Sequence, residues 1–515
     1  MKSISTKRVL GAAIALTLVA AACGSDDDSG SESTSETTDS GATEDTSAAT
    51  EDTSDSSEDT SDSSDTADSD AASGEGIKLG IMAECEGAFG AFNEDTVAGA
   101  TLALVEGAGA TTNSTDTALD GFSGASVAGV DIELVGIGCG DDTADRAIQE
   151  IRTLVEQDGA NVVIGPLSGD EGIAIANYAL DHPEVTFING ISGAQDATLH
   201  VQAPNFFRFN GDGAQWNAGT GLTVHDVAGW DTVAVIADDY GFGWTSAAGF
   251  VADFCAAGGE VVKQVFPPLG TTDYSSFVQQ LPDPDEVDGY FWVVGGTGTN
   301  ASLEAFVNAK GDLTGDQHAG NLFFSPALAQ ALGPDIAGAY VGGFASLPGD
   351  ISTPEIEAYF ASADATWDSL AAGAAGGDVG PASVATGFGF GYGYYAAGTA
   401  LVQALEAVDG DLSNDQEALR AALSSIELDL PYGPVTLDDN RQAIVDTFVA
   451  QLVLDEESGE VVSQTIAIVP EVDQTFGGTY SSETDPPERD NTPCEEKELP
   501  WQGNLIPVVD GVPQR

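Results

Sequence analysis

The sequence predicts an α/β protein built as two doubly wound parallel-sheet lobes, and three observations predict it. From Gly76 onward, short continuous apolar strands alternate with amphipathic helices, the pattern of a parallel sheet covered on both faces. The same rhythm restarts near Thr232. The folded part of about 440 residues also exceeds one ordinary domain.

Each element follows from its residues. Ile77 to Met82 is the opening strand, and Asn93 to Glu106 a helix that turns Val97, Ala100, Thr101 and Leu104 inward. Asp131 to Ile137 is the next strand. Asp142 then stands where a helix N-cap belongs, Ile148, Ile151, Leu154 and Val155 form an apolar stripe, and Gly159 closes that helix. Val162-Val163-Ile164 and Val185 to Ile188 are buried strands flanking a helix around Ile173 to Leu180. In the second series Thr232 to Ala237, Val261 to Phe266 and Tyr290 to Val294 are strands, separated by helices around Thr245 to Ala257 and Tyr274 to Leu281. The Gly-aromatic run Gly387 to Gly393, with Phe390 and Tyr392, is helical only weakly, because glycine loosens a helix. Ligands of such sheets sit beyond the carboxyl ends of the strands, where this chain is rich in Gly, Ser, Asp and aromatic residues.

The first 75 residues concern location. Lys2, Lys7 and Arg8 precede an apolar run from Val9 to Ala22, shorter than the roughly 18 residues of a membrane-spanning helix. Val19-Ala20-Ala21-Ala22-Cys23 resembles a bacterial lipoprotein cleavage site, with Ala20 where Leu is more usual. The resemblance implies a signal peptide over 1–22 and a lipid on Cys23, anchoring an extracytoplasmic protein to the outer face of the cell membrane. Residues 24–75 lack any aromatic residue, Leu, Ile, Val, Lys or Arg and are dense in acids, so 23–75 is expected to be a disordered tether.

Composition excludes several functions. Residues 76–515 hold 66 acidic and 11 basic side chains, which rules out the clustered Lys and Arg of a nucleic-acid surface. Apart from Cys23, the four cysteines Cys85, Cys139, Cys255 and Cys494 suit two disulfides in an oxidising compartment. No CxxC is present, and His182, His200, His225 and His318 are scattered, so neither a metal nor another cofactor is expected. Without GxSxG, Walker A or HExxH sequences, no enzyme is expected.

Five segments carry a family resemblance: Ile77-Lys78-Leu79-Gly80, Val163-Ile164-Gly165-Pro166-Leu167-Ser168-Gly169, Phe206-Phe207-Arg208, Asp238-Asp239-Tyr240-Gly241-Phe242-Gly243, and Phe266-Pro267-Pro268-Leu269-Gly270-Thr271-Thr272-Asp273-Tyr274. From about Ile77 to Val469 the chain on these grounds resembles the solute-binding proteins of branched-chain amino-acid type ABC transporters, which have the type I periplasmic binding protein fold. The resemblance implies two lobes joined by three hinge crossings and closing on a small molecule. It places the first lobe at 76–205 and 327–443, the second at 206–326 and 444–470, and a Pro-rich wrapping tail at 471–515. On that topology Cys85 pairs with Cys139, and Cys255 with Cys494. The implied partners are a small polar ligand, an amino acid or related amine or amide, and the permease subunits of an ABC importer, served by a monomer.

The same comparison implies ligand contacts. Phe92 stands where an aromatic covers the ligand, Ser168-Gly169-Asp170 and Gly190-Ile191-Ser192-Gly193-Ala194 where NH and OH groups hold a carboxylate, and Tyr240 where the second lobe presents an aromatic. Tyr392 lies near a further contact region. Two positions depart from the pattern: Asp170 replaces a Ser, and Thr271 replaces the acid that grips an amino group. Glu84 and Glu86 follow the first strand and, with Asp170, suit a cation; the alternative is that the three are solvated like the other 63 acids of the folded part. A sensor domain of the same fold and a cell-surface enzyme are the alternative functions.

Overall fold

The first sheet is assembled around strands that are buried on both faces, with two less covered strands, the second and third, at one edge. In chain order these are β1 (Ile77–Glu84), β2 (Ala125–Val127), β3 (Val130–Gly140), β4 (Val162–Ile164), β5 (Thr186–Asn189) and β6 (Phe206–Arg208). They lie in the order β2-β3-β1-β4-β5-β6, parallel except for the β2–β3 hairpin. The order reverses at β1, so a crevice opens between the carboxyl ends of β1 and β4. The computed structural model describes residues 76–515 except 297, 322–327, 329–330, 344–349 and 457. The expected signal peptide, Cys23 and the tether lie outside the described residues.

The second sheet repeats the plan. Its strands are β7 (Thr232–Ala237), β8 (Glu260–Val265), β9 (Gly289–Val293), β10 (His318–Gly320) and β11 (Tyr340–Gly343), in the parallel order β8-β7-β9-β10-β11. The hairpin β12 (Leu428–Leu430) and β13 (Gly433–Leu437) leads into β14 (Ala443–Leu454), which lies antiparallel to β11. β15 (Val461–Val472) and the hairpin β16 (Ile506–Val509) and β17 (Val512–Pro513) extend that edge. Here the order reverses between β7 and β9.

Helices cover the sheets, among them α1 (Asn93–Ala108), α2 (Ala144–Arg152), α3 (Gly169–Asp181), α4 (Gly241–Ala256), α5 (Gly298–Lys310), α6 (Pro354–Thr366) and α7 (Gly389–Ala407). α7 forms despite its glycines, and they are what lets it pack. A Cβ on Gly391 would stand 2.4 Å from the Ala385 carbonyl, and one on Gly398 would stand 2.7 Å from the Ala103 methyl across in α1. α2 is capped by Thr143, whose hydroxyl accepts from the Arg146 NH, and not by Asp142. Asp142 takes a left-handed backbone, φ 72°, because its carboxylate is drawn to another loop.

The chain passes between lobes after β6, between β11 and α6, and between β13 and β14. The second passage falls later than the expected 326/327 boundary, because residues 340–343 pair with β10 and β14 inside the second sheet. A buried polar network ties the passages together. Arg208, at zero exposure, donates to the carbonyls of Ser192 (3.0 Å) and Ala194 (2.7 Å), to Thr198 Oγ1 (2.7 Å) and to Gln442 Oε1. Gln442 donates in turn to the Asn210 carbonyl and Gln215 Oε1, and Gln215 to the carbonyls of Ala443 and Val472. Burial pushes the Arg208 guanidinium down to about 10, while Asp212, 3.9 Å away, opposes that shift.

Two disulfides, Cys85–Cys139 and Cys255–Cys494, join Cα atoms 5.1 and 5.2 Å apart, within ordinary disulfide reach. The second fastens the tail to α4. Trp501 of the tail is buried against Phe476 and donates Nε1 to Asp253 Oδ1 at 2.7 Å.

Candidate functional site

At the crevice of the first sheet, the last residue of β1 is an acid. Glu84 is fully buried, and its Oε1 accepts from the NH groups of Leu167 (3.1 Å) and Ser168 (2.7 Å), in the loop after β4. Next to it Glu171, in the first turn of α3, accepts with Oε1 from the NH groups of Asp141 (3.2 Å) and Asp142 (3.0 Å), after β3. Asp142 accepts with Oδ2 from Ala88 (2.5 Å) and Phe89 (3.4 Å), after β1. Three carboxyls thus stitch together the loops that follow β1, β3 and β4.

The second sheet uses the same device. Asp238, directly after β7, accepts with Oδ2 from the Gly295 NH (2.9 Å) after β9, at that sheet's own point of reversal. Each of these four acids has a second buried oxygen, Glu84 Oε2, Glu171 Oε2, Asp142 Oδ1 and Asp238 Oδ1; protonation lets Glu84 and Glu171 bond to each other, and the Ser168 side chain serves Asp142.

Burying charge without a counter-ion is costly, and the carboxyls respond by holding protons. Burial raises Glu84 well above the usual carboxylate range, with Glu171 and then Asp142 adding repulsion. Burial pushes Glu171 up to about 7, Asp142 to about 6 and Asp238 to about 8. Asp142 is felt by Asp238, so the acids of the two lobes face one another.

The lobes touch along the same line. Asp170 Oδ1 accepts from the Gly241 NH at 2.9 Å, a carboxylate of the first lobe seated on the amino end of α4 in the second. Gly169 lies against Phe242, where a Cβ would meet the Phe242 nitrogen at 2.7 Å. Gly296 similarly lies against the Ala88 carbonyl, with φ 55° and no room for a side chain.

The residues expected from the sequence divide into groups. Glu84, Ser168, Gly169, Asp170, Ser192, Gly193 and Tyr240 come to the facing ends of the two sheets. Ser168 and Ser192 are buried, the first with its side chain turned to Asp142 and the second with a hydroxyl that has no partner, and Gly193 lies beneath Phe242 and Trp216. Tyr240 is 4 % exposed, and its phenol is raised by burial and then by Asp238, Asp142, Asp170 and Glu84. Phe92 instead belongs to an aromatic cluster, stacked on Phe388 (5.5 Å) and edge-on to Phe390 (4.7 Å). Tyr392 sits by the third passage, edge-on to Tyr432 at 4.6 Å and accepting its NH. Thr271 donates its hydroxyl to the Pro268 carbonyl within its own turn (2.6 Å), and Glu86 is exposed beside Cys85.

Asp142, Glu171 and Asp238 are members of the site that the sequence reading did not single out as contacts. Asp238 carried a signal, standing directly after a strand that borders a reversal of strand order; Asp142 follows β3, which borders none, and Glu171 lies inside the first turn of α3.

A family model described as periplasmic binding protein matches residues 76–459. A comparison with curated proteins gives no match. Among solved structures, an ABC transporter substrate-binding protein from Sphaerobacter thermophilus is 22 % identical, with 78 % of this chain and 99 % of that one covered and a TM-score of 0.61. An ABC transporter solute-binding protein from R. palustris, in complex with benzoate, is 20 % identical over 76 % and 96 % of the two chains, TM-score 0.61. A leucine-binding protein from Thermotoga maritima is 17 % identical over 76 % and 99 %, TM-score 0.59. These likenesses are to the fold.

Proposed function

The chain belongs to the periplasmic binding protein family, and from that premise we propose that it is a non-enzymatic solute-binding protein that captures a small polar ligand between its lobes and delivers it to an ABC importer. The observation that carries the reading is the pairing of the two crevices: each sheet reverses strand order where its loops meet those of the other lobe. The ligand class is an amino acid or related amine or amide. The solved structures of similar fold include proteins described with leucine and with benzoate, so the fold alone does not choose between these. The buried acids favour a ligand with a positive group. Lipidation at Cys23 holds the monomer at the outer face of the cell membrane, within reach of the permease subunits.

Thermal-shift screening of amino acids, amines, amides and aromatic acids tests the reading. A true ligand at 100 times its dissociation constant stabilises by about 2.7 kcal/mol. A complete library without a single shift defeats it. The anchor is tested by cell fractionation of a Cys23→Ala variant, which should leave the membrane and keep its ligand affinity.

A further inference from the structure

We propose that the ligand of this cleft is a small organic cation, an ammonium or guanidinium compound, gripped by acids of both lobes; the proposal rests on the solute-binding reading above.

An anionic or zwitterionic ligand in such a crevice needs free backbone donors at the strand ends. Here the chain's own carboxylates already occupy eight of them, while α3 opens without a side-chain cap and the Ser192 hydroxyl has no partner. Glu84 takes the NH groups of Leu167 and Ser168, Glu171 those of Asp141 and Asp142, Asp142 those of Ala88 and Phe89, Asp238 that of Gly295, and Asp170 that of Gly241. Beside these donors stand four buried carboxyl oxygens, one from each of Glu84, Glu171, Asp142 and Asp238, of which those of Glu84 and Glu171 bond to each other in their protonated form.

No side chain neutralises them. Among the described residues none of the four forms an ion pair. The sequence has no Lys or Arg between Lys78 and Arg146, between Arg208 and Lys263, or between Lys310 and Arg420, which covers the loops after β1, β3, β7, β10 and β11.

Tyr240 is an independent pointer to an occupant. It is 96 % buried, its hydroxyl has no hydrogen bond among the described residues, and its phenol feels Asp238, Asp142, Asp170 and Glu84 together. Its ring, 6.0 Å from Phe242, gives an aromatic face of the kind that receives organic cations. A point ion fits less well. Among the described residues, the one set of three acid, Cys or His ligand atoms lying within 4.8 Å of one another is Cys85, Glu86 and Cys139, and both cysteines are in a disulfide. The acids of the cleft come from both lobes, as an extended organic cation requires.

Calorimetric titration of the mature protein with 1,4-diaminobutane, agmatine, leucine, benzoate and calcium chloride, at pH 6 and pH 8, tests the proposal. The expected result is binding of 1,4-diaminobutane or agmatine, tighter at pH 8 and accompanied by proton release, because the cation replaces protons on the acids. Asp238→Asn keeps an acceptor for the Gly295 NH but loses the charge. It should weaken that binding by at least about tenfold while leaving the ligand-free protein at least as thermostable as wild type. Binding of leucine or benzoate without either amine, or of calcium in place of both, overturns the cation assignment and leaves the solute-binding reading standing. If no probe of either charge binds, both fall.

Discussion

Asp238 and Glu171 set the pH response of the ligand-free protein. In the unfolded chain such carboxyls ionise near 4, whereas in the fold burial holds them at about 8 and about 7. The folded state therefore keeps protons that the unfolded state has lost, and this contribution to stability disappears as pH rises through 7 and 8. His318 acts in the other direction. Buried and accepting from Trp292 Nε1, it is pushed down to about 3, so its contribution is present above about 6.5 and is lost as pH falls. Between pH 6.5 and 8.5 the acids act in the same direction as His200, whose imidazole Asp196 holds above its ordinary value, and the melting temperature should fall as pH rises. Asp238→Asn should flatten that slope; an unchanged slope would refute the assignment. Much at this scale escaped the sequence. Asp142 has the residue type and the place of an N-cap, yet a loop 54 positions earlier claims its carboxylate. Asp170 was legible as an anomaly in a Gly-rich loop, but its partner on Gly241 is visible only once the lobes are brought together.

The contact between α1 and α7 is the clearest case at the scale of elements. A Cβ on Gly99 would stand 1.9 Å from the Gly391 carbonyl, backbone against backbone, with no flexible side chain to give way. Gly99→Val should therefore cost about 1–3 kcal/mol or more, read as a lower midpoint in urea unfolding, whereas Gly377→Ala, at an exposed turn with nothing within 4 Å but φ 81°, tests backbone strain alone. The strands were legible because apolar runs of this length have few alternatives, and Thr232 to Ala237 falls as its pattern predicts. α7 was less legible, since its glycines read as a weakness locally and become an asset only against a partner, α1, far away in the sequence. The second passage between lobes was misplaced for a related reason. β11 is four residues, two of them glycine, and what holds it in the second sheet is β14, a strand about a hundred positions later.

The whole molecule is held at its three passages by amide side chains and one buried arginine, while its two sheets present acids to each other. The fold class was readable from rhythm and length, as was the strand-end position of the site; the chemistry of the site was not, because four acids among 66 are indistinguishable until folding buries them. The contact of Asp170 with the Gly241 NH has a consequence for the ligand-free protein. A loop carboxylate already plays the part of an anion at the amino end of α4, so the lobes can approach without an occupant. The conformational equilibrium is then poised toward the compact form before any solute arrives, and little of the intrinsic affinity is lost to reorganisation. Small-angle scattering should accordingly give nearly equal radii of gyration for the empty and the saturated protein. Asp170→Ala should enlarge only the empty one. A transport partner that measured shape alone would meet the same silhouette in both states, so discrimination between them would fall to surface charge, which a bound cation changes.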